Sequence, residues 1–162
     1  MNVLYWNIRG IGNFETKIAL RNLCLSHNPV IIFIAEPMIS FDHVPSWYWN
    51  NIGVSKYCLN VRDNLQPNLW TLWGNDVSST VLFVSDQCIA LQISCHQSRV
   101  YIAAIYASTL YLKRRQLWAD LTHLQGRFHG PWLFLGDFNA VMGAHEKRGR
   151  CPPSNLSCLD FF

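Results

Sequence analysis

No run of apolar residues in this sequence is long enough to cross a lipid bilayer. Apolar runs such as residues 30–35 and 100–105 are short, whereas a membrane-spanning helix needs about 20 apolar residues. The first six residues, Met-Asn-Val-Leu-Tyr-Trp, have neither the basic start nor the small-residue cleavage site of a secretory signal. We therefore expect an intracellular protein with no membrane partner.

Cysteine motifs that bind metal are also missing, although the chain has six cysteines. No Cys-x-x-Cys pair and no Cys/His spacing indicates zinc, and the histidines show no mutual spacing typical of a metal site. An even number of cysteines could form three bridges in a secreted protein. Because several lie in apolar stretches and no signal accompanies them, the sequence favours reduced thiols in the core.

A strong excess of one charge is absent as well. The 13 Lys and Arg residues and 10 Asp and Glu residues give a formal net charge of +3, which is compatible with nucleic-acid binding but does not indicate it alone. Apolar residues make up 50% of the chain and aromatic residues 14%. This composition predicts one globular domain with a packed core, and no repeat, low-complexity tract or linker divides it.

The order of predicted elements indicates a layered α/β or α+β domain, and we expect an α/β sandwich. Helices are predicted over residues 14–26 and about 110–125, the second on an apolar stripe of Leu117, Leu121 and Leu124 with Ser108 or Thr109 as its cap. Residues 37 to about 66 are expected to be rich in loops. Strands are predicted over residues 2–7, 30–36, 69–73, 80–84, 89–94, 99–106 and 132–135.

Polar side chains stand where four of these apolar strands end. They are Asn7, Glu36, Tyr106 and the pair Asp137 and Asn139. Strand ends of layered α/β folds converge on one edge, where ligands bind. Carboxylate and amide oxygens suit Mg²⁺ or Mn²⁺, an amide can bind a phosphate oxygen, and a phenol can donate to one. The set therefore favours a metal and phosphate site.

Each of these residues also has a simpler interpretation. Asn7 before Arg9 could be a turn residue, Glu36 a solvated strand end, and Tyr106 a half-buried strand aromatic. Asp137 and Asn139 after a glycine could form an Asx turn. Taken together, these alternatives require four coincidences of the right chemical type, so the sequence favours the functional interpretation.

Four motifs in this order resemble the endonuclease/exonuclease/phosphatase superfamily, whose fold is deoxyribonuclease-I-like. Within it the chain is most similar to the endonuclease domain of LINE-type non-LTR retrotransposon polyproteins. That branch is indicated by the opening Trp-Asn-Ile-Arg-Gly, by Pro-Trp before the Gly-Asp-Phe-Asn motif, and by the segments that follow it. The motifs occupy residues 6–10, 35–37, 106–108 and 136–139, and the following segments are residues 145–149 and 157–161.

The resemblance implies a four-layered α/β sandwich and a divalent-metal-dependent phosphodiesterase that nicks DNA. It implies that Glu36 binds Mg²⁺ or Mn²⁺ with help from Asn7, and that Tyr106 stabilises the transition state. Asp137 would orient or deprotonate the attacking water, and Asn139 would contact the scissile phosphate. The resemblance further implies DNA as partner, other polyprotein parts such as a reverse transcriptase, and a nuclear location for a functional retrotransposon endonuclease.

Basic residues give weaker indications of DNA contact. Arg9, Lys147 and Arg148 are the candidates for phosphate binding, the last two because they follow the Gly-Asp-Phe-Asn strand. A second cluster at residues 113–115 starts the later helix. For that helix cluster, a solvated face is the favoured interpretation.

The sequence departs from the family pattern in two places. Ser108 and Thr109 stand where members often carry Pro and Asn, and no Ser-Asp-His follows the Gly-Asp-Phe-Asn motif. Ser85 and Asp86 precede Gln87 in mid-chain instead. Loss of one such catalytic group costs about 100- to 10,000-fold. We therefore expect a partial domain, roughly the first two thirds, with impaired activity. The alternatives are a non-catalytic transposon remnant and a related phosphatase or phosphodiesterase.

Overall fold

The computed structural model describes residues 1–95 and 98–141. These residues form eight strands, three α-helices and one short 3-10 helix at Phe41–His43. The helices are α1 (Phe14–His27), α2 (Ser46–Asn51) and α3 (Tyr111–Arg127). The strands are β1 (Val3–Asn7), β2 (Ile31–Ala35), β3 (Lys56–Leu59), β4 (Leu69–Trp73), β5 (Ser79–Val84), β6 (Cys88–Cys95), β7 (Ser98–Tyr106) and β8 (Trp132–Asp137).

The chain divides into two compact units. The first contains Met1–Tyr106 and Gly130–Gly136, and the second contains Ala107–His129 together with the described residues from Asp137 onward. Both sheets belong to the first unit, apart from Asp137 at the end of β8. Helix α3 belongs to the second unit, where it buries the predicted stripe of Leu117, Leu121 and Leu124.

The first sheet has the order β1-β2-β4-β3. Strand β1 runs parallel to β2, and β4 is antiparallel to both β2 and β3. All five residues of β2 are buried, as expected for a strand covered on both faces. Because β1 and β2 are parallel and β4 is antiparallel, the ends of β1 and β2 and the start of β4 share one edge.

The second sheet has the order β5-β6-β7-β8. Strands β5, β6 and β7 are antiparallel neighbours, with a register shift between Val81 and Phe83. Alternate side chains of β2 divide between two cores. Ile32 and Ile34 pack with α1 and the aromatic residues of α2, and Ile31 and Phe33 pack between the two sheets. The first unit thus has a helical layer against one sheet and a second sheet behind it.

Helix α1 begins and ends with polar residues that satisfy its backbone groups. The Asn13 side chain accepts a hydrogen bond from the backbone N of Thr16 at 2.7 Å, and Asn28 ends the helix in the left-handed conformation. These are the N-cap and C-terminal devices expected of Asn. They fix the helix that connects the parallel strands β1 and β2.

Two predictions about local structure were wrong, and a third was incomplete. The stretch expected to be rich in loops also contains Phe41–His43, α2 and β3, and Phe41 packs against Trp49 and Trp70 there. Neither Ser108 nor Thr109 is the cap of α3, because the N-cap is Leu110 and has no side-chain cap bond. Strand β8 continues through Asp137, two residues beyond the predicted end.

Cys24, Cys58 and Cys88 have free thiols. Within the described ranges, no helix combines the length and the apolar character needed to cross a membrane.

Candidate active site

The parallel pairing of β1 and β2 brings Asn7 and Glu36 together. Asn7 lies opposite Ala35 in the register, so Glu36 follows at the same edge of the sheet. The Nδ2 atom of Asn7 donates to Oε1 of Glu36 at 2.8 Å. Backbone bonds from Ile8 N to Ala35 O and from Gly10 N to Glu36 O hold the two chain segments beside each other.

Glu36 adopts a backbone conformation that few residues other than glycine adopt. Its φ is 53°, and Arg9 and Met38 nearby have φ values of 49° and 59°. Non-glycine residues in this region cost of order 1–3 kcal/mol and persist where the surroundings hold them. Here the backbone N of Glu36 donates to the carbonyl oxygen of Asn68 at 2.9 Å, which links the turn to the start of β4.

Tyr106 completes the arrangement from the second sheet. It is the last residue of β7, and its hydroxyl donates to Oε1 of Glu36 at 2.8 Å. The hydrogen bonds from Asn7 and Tyr106 therefore converge on one carboxylate oxygen, which leaves Oε2 outside this pair. Three of the residues predicted from separate strand ends are thus in direct contact within the first unit.

A cavity of about 390 Å³ lies next to this carboxylate. Glu36 and Tyr106 line it, and so does the segment between β3 and β4, which brings Arg62 and Gln66. The Nη1 atom of Arg62 donates to the carbonyl oxygen of Gln66 at 3.1 Å. Met38, also in the lining, is 66% exposed. The cavity thus combines an acid, a phenol and a guanidinium with an exposed thioether.

Sequence reasoning missed Arg62 because the residue lies in the stretch expected to be loop-rich, outside every motif. The signal available was an arginine within a short Asn-, Asp-, Gln- and Pro-rich tract between two apolar strands, a composition typical of surface loops. Nothing in that tract shows that it returns to Glu36.

Asp137 and Asn139 belong to the second unit, where they form an Asx turn. The backbone N of Asn139 donates to Oδ1 of Asp137 at 3.0 Å, and Asn139 has a φ of 46°. Nδ2 of Asn139 donates to the carbonyl oxygen of Ala107 at 2.8 Å, and Ala107 N donates to the carbonyl oxygen of Asp137 at 2.8 Å. The turn considered from the sequence is present, and it holds both side chains in a defined arrangement.

The remaining basic candidates differ in their surroundings. Arg9 is exposed. The prediction of a solvated or DNA-facing cluster at residues 113–115 is wrong for Arg114. Its side chain is fully buried, and Nη1 donates to the carbonyl oxygens of Ser108 and Thr109, each at 3.0 Å. The predicted contacts of Lys147 and Arg148, and the family-like segments at residues 145–149 and 157–161, lie outside the described residues.

The oxygen donors around Glu36 fit Mg²⁺, an ion that needs few protein ligands, better than a metal ion that is coordinated wholly by protein side chains. Among residues 1–95 and 98–141, no three His, Cys, Asp or Glu side chains are grouped to hold a metal ion. Mg²⁺ is usually bound by one or two carboxylates and keeps several waters or substrate phosphates. Glu36, with its carboxylate fixed by Asn7 and facing a cavity, matches this mode of binding.

Comparison with known proteins gives a family match over nearly the whole chain. The sequence profile of the endonuclease/exonuclease/phosphatase family matches residues 4–162. No curated protein matches the sequence at a significant level.

Several solved structures resemble this chain. The endonuclease domain of TRAS1, a telomere-specific non-LTR retrotransposon, has a TM-score of 0.64 at 12% identity, over 86% of this chain and 59% of that one. An AP endonuclease from Archaeoglobus fulgidus has 0.60 at 14% identity, over 86% and 58%. A 3′ phosphatase from Neisseria, bound to a product DNA hairpin, has 0.62 at 14% identity, over 98% and 68%.

These similarities establish the fold. The α/β sandwich predicted from the sequence is confirmed, as is the resemblance to the endonuclease/exonuclease/phosphatase superfamily. The chain spans 59% of the length of the retrotransposon endonuclease domain, less than two thirds.

Proposed function

The chain belongs to the endonuclease/exonuclease/phosphatase family, and on this premise we propose that it is a divalent-metal-dependent phosphodiesterase that nicks DNA. The observation that carries the proposal is the convergence of Asn7 and Tyr106 on the Glu36 carboxylate at the wall of a cavity. A carboxylate fixed by two donors, with one oxygen outside that pair, is suited to hold a cation beside a phosphate group.

Glu36 would hold Mg²⁺ or Mn²⁺, and Asn7 would orient the carboxylate. When bound, the metal would supply stabilisation of the charge that develops on the phosphate oxygens. The Tyr106 hydroxyl donates a hydrogen bond to Glu36, and it can rotate to donate instead to a phosphate oxygen that enters the cavity. Arg62 adds a positive charge to the same lining, which supports a phosphate rather than a neutral substrate.

We propose that Asp137 and Asn139 act on the water and the scissile phosphate. The Asx turn fixes Oδ1 of Asp137 by a bond from the backbone of Asn139, so the carboxylate is held in one orientation. An oriented carboxylate can position a water molecule or accept its proton. Arg9, Lys147 and Arg148 are proposed as contacts to DNA phosphates. This function implies a retrotransposon reverse transcriptase as partner. It also implies a nuclear location.

The proposal is tested by nicking of supercoiled plasmid with Mg²⁺, with Mn²⁺ and with chelator, using excess protein and long incubation. Glu36→Gln removes the charge but keeps the shape, and we expect the nicking rate to fall about 100- to 10,000-fold. The matched control is Glu15→Gln, the same exchange at an exposed position in the first turn of α1. Its nicking rate should remain that of the unaltered chain.

Two results would contradict the proposal. If Glu36→Gln nicks as fast as the unaltered chain, the carboxylate has no catalytic role. If the unaltered chain releases phosphate from a 3′-phosphorylated oligonucleotide but does not nick plasmid, the related phosphatase is correct. Binding of Mn²⁺ followed by electron paramagnetic resonance gives an independent measure, because Glu36→Gln should weaken it even if turnover is slow.

A further inference from the structure

A buried asparagine just beyond β3 makes side-chain hydrogen bonds to two separate chain segments. Asn60 is 1% exposed. Its Oδ1 accepts from the backbone N atoms of Asn68 and Leu69, each at 2.9 Å. Its Nδ2 donates to Oδ1 of Asn68 and to the carbonyl oxygen of Asp86, each at 2.8 Å. An asparagine amide has two acceptor sites and two donor hydrogens, so the full capacity of this side chain is used.

One side of this network reaches Glu36. The Asn60 side chain holds the backbone and side chain of Asn68, and the carbonyl oxygen of Asn68 accepts from the backbone N of Glu36 at 2.9 Å. Glu36 needs such support, because its φ of 53° lies in a region that side chains other than glycine's rarely adopt. The position of Asn68 therefore affects the turn that aims the carboxylate.

The other side of the network reaches Tyr106. Asn60 binds the carbonyl oxygen of Asp86, and the next residue, Gln87, accepts at its carbonyl oxygen from the backbone N of Tyr106 at 2.9 Å. The Ser85 hydroxyl stabilises this turn by accepting from the backbone N of Gln87 and Cys88. The turn between β5 and β6 is thus held between Asn60 and the end of β7.

We propose that Asn60 is a positioning residue that sets the geometry between the Glu36 carboxylate and the Tyr106 hydroxyl. Glu36 and Tyr106 come from different sheets, and the 2.8 Å hydrogen bond between them requires the ends of β2 and β7 to be held at the right separation. Asn60 is one side chain whose contacts lead to the backbone of each. It also closes the base of the segment that carries Arg62 into the cavity. This inference rests on the proposed function, since it assigns Asn60 a part in that site.

The first test uses Asn60→Ala, which removes both sides of the network. The control is Leu20→Ala, since Leu20 is fully buried in α1 of the same unit and its truncation destabilises the core without touching the network. We expect Asn60→Ala to weaken Mn²⁺ binding by about 10- to 100-fold, the effect typical of residues that hold a metal ligand. Leu20→Ala should leave Mn²⁺ affinity unchanged.

Amide hydrogen exchange gives a second readout that does not depend on turnover. In Asn60→Ala, the amides of Glu36 and Tyr106 should exchange faster relative to those of α1. Asn60→Asp, a smaller change, keeps an oxygen for the backbone amides of Asn68 and Leu69. It places an oxygen against the backbone carbonyl of Asp86 and against the side-chain Oδ1 of Asn68. In that variant the amide of Tyr106 should respond more than that of Glu36.

Nicking kinetics then separate this inference from the proposed function. If the unaltered chain nicks plasmid, Asn60→Asp should lower kcat more than it raises KM. Equal Mn²⁺ affinity and equal exchange at Glu36 and Tyr106 in Asn60→Ala and Leu20→Ala would overturn the positioning role. If these two readouts change as expected but the unaltered chain never nicks DNA, the nuclease assignment fails and the positioning role of Asn60 stands.

Discussion

Replacement of Gly136 by alanine should destabilise the chain far more than replacement of Gly53 or Gly126. Gly136 lies in β8 with a φ of 146°. A Cβ atom at this position would collide with the backbone carbonyl oxygen of Ile105 and would lie within 2.9 Å of the Ile105 backbone N. Backbone atoms of a paired strand cannot rotate away as a flexible side chain can, so β8 itself must move.

The size of the effect follows from two costs. An alanine held at this φ costs about 1–3 kcal/mol. Relief of the collision requires β8 to separate from β7, and each hydrogen bond lost there costs about 1 kcal/mol. With two such bonds lost, we expect Gly136→Ala to lower the free energy of unfolding by about 3–5 kcal/mol, a large part of the 5–15 kcal/mol typical of a whole domain.

Two other glycines serve as controls for the two costs. Gly53 has a φ of 79° but no atom within 4 Å of the added Cβ, so Gly53→Ala should cost only about 1–2 kcal/mol. Gly126 lies in α3, also with open space around the added Cβ, and Gly126→Ala should stabilise by about 0.5–1 kcal/mol. The assay is guanidinium unfolding followed by tryptophan fluorescence. A Gly136→Ala cost no larger than that of Gly53→Ala would refute the reasoning.

Two further predictions concern DNA binding and pH. If Arg62 contacts a DNA phosphate, Arg62→Ala should weaken duplex binding measured by fluorescence anisotropy and reduce the slope of log K against log salt by about 0.9. The control is Arg21→Ala, at an exposed position in α1, which should leave the slope unchanged. An unchanged slope for Arg62→Ala would exclude the contact. Burial raises the pKa of the Cys24 thiol from 9.0 to about 11, so the unfolded chain loses this proton first and the folded state loses stability as pH rises from 9 to 11. The free energy of unfolding of the unaltered chain, measured in urea, should therefore fall relative to that of Cys24→Ala by about 1–2 kcal/mol between pH 8 and about pH 10.5. A constant difference between the two chains would contradict the pKa shift.

The strands that carry the site could be predicted from the sequence because they are continuous apolar runs. Strand β4 begins and ends where the sequence indicated, and β2 differs by one residue at each end. Each run is bounded by residues that interrupt the pattern, so the polar strand ends were visible. Asn7, Glu36 and Tyr106 could therefore be chosen as a set before their contacts were known.

Short elements and distant contacts could not be predicted in this way. Strand β3 has four residues and an exposed first half, so it shows no alternation that would identify a strand. Helix α2 has six residues, too few for a helical period to emerge. Asn60 meets Asp86 across 26 positions of sequence, and only the pairing of β3 with β4 and the return of the following strands bring them together.

The two hydrogen-bond donors to the Glu36 carboxylate lie at very different distances along the sequence, which sets the order in which the site forms during folding. Asn7 is 29 positions away in sequence and Tyr106 is 70, and the Tyr5 hydroxyl bonds the carbonyl oxygen of Ile105 across 100 positions. Closing a longer loop costs more entropy, and distant contacts slow folding. During synthesis Asn7 can therefore meet Glu36 long before Tyr106 leaves the ribosome, and Glu36 completes its site only when the second sheet arrives.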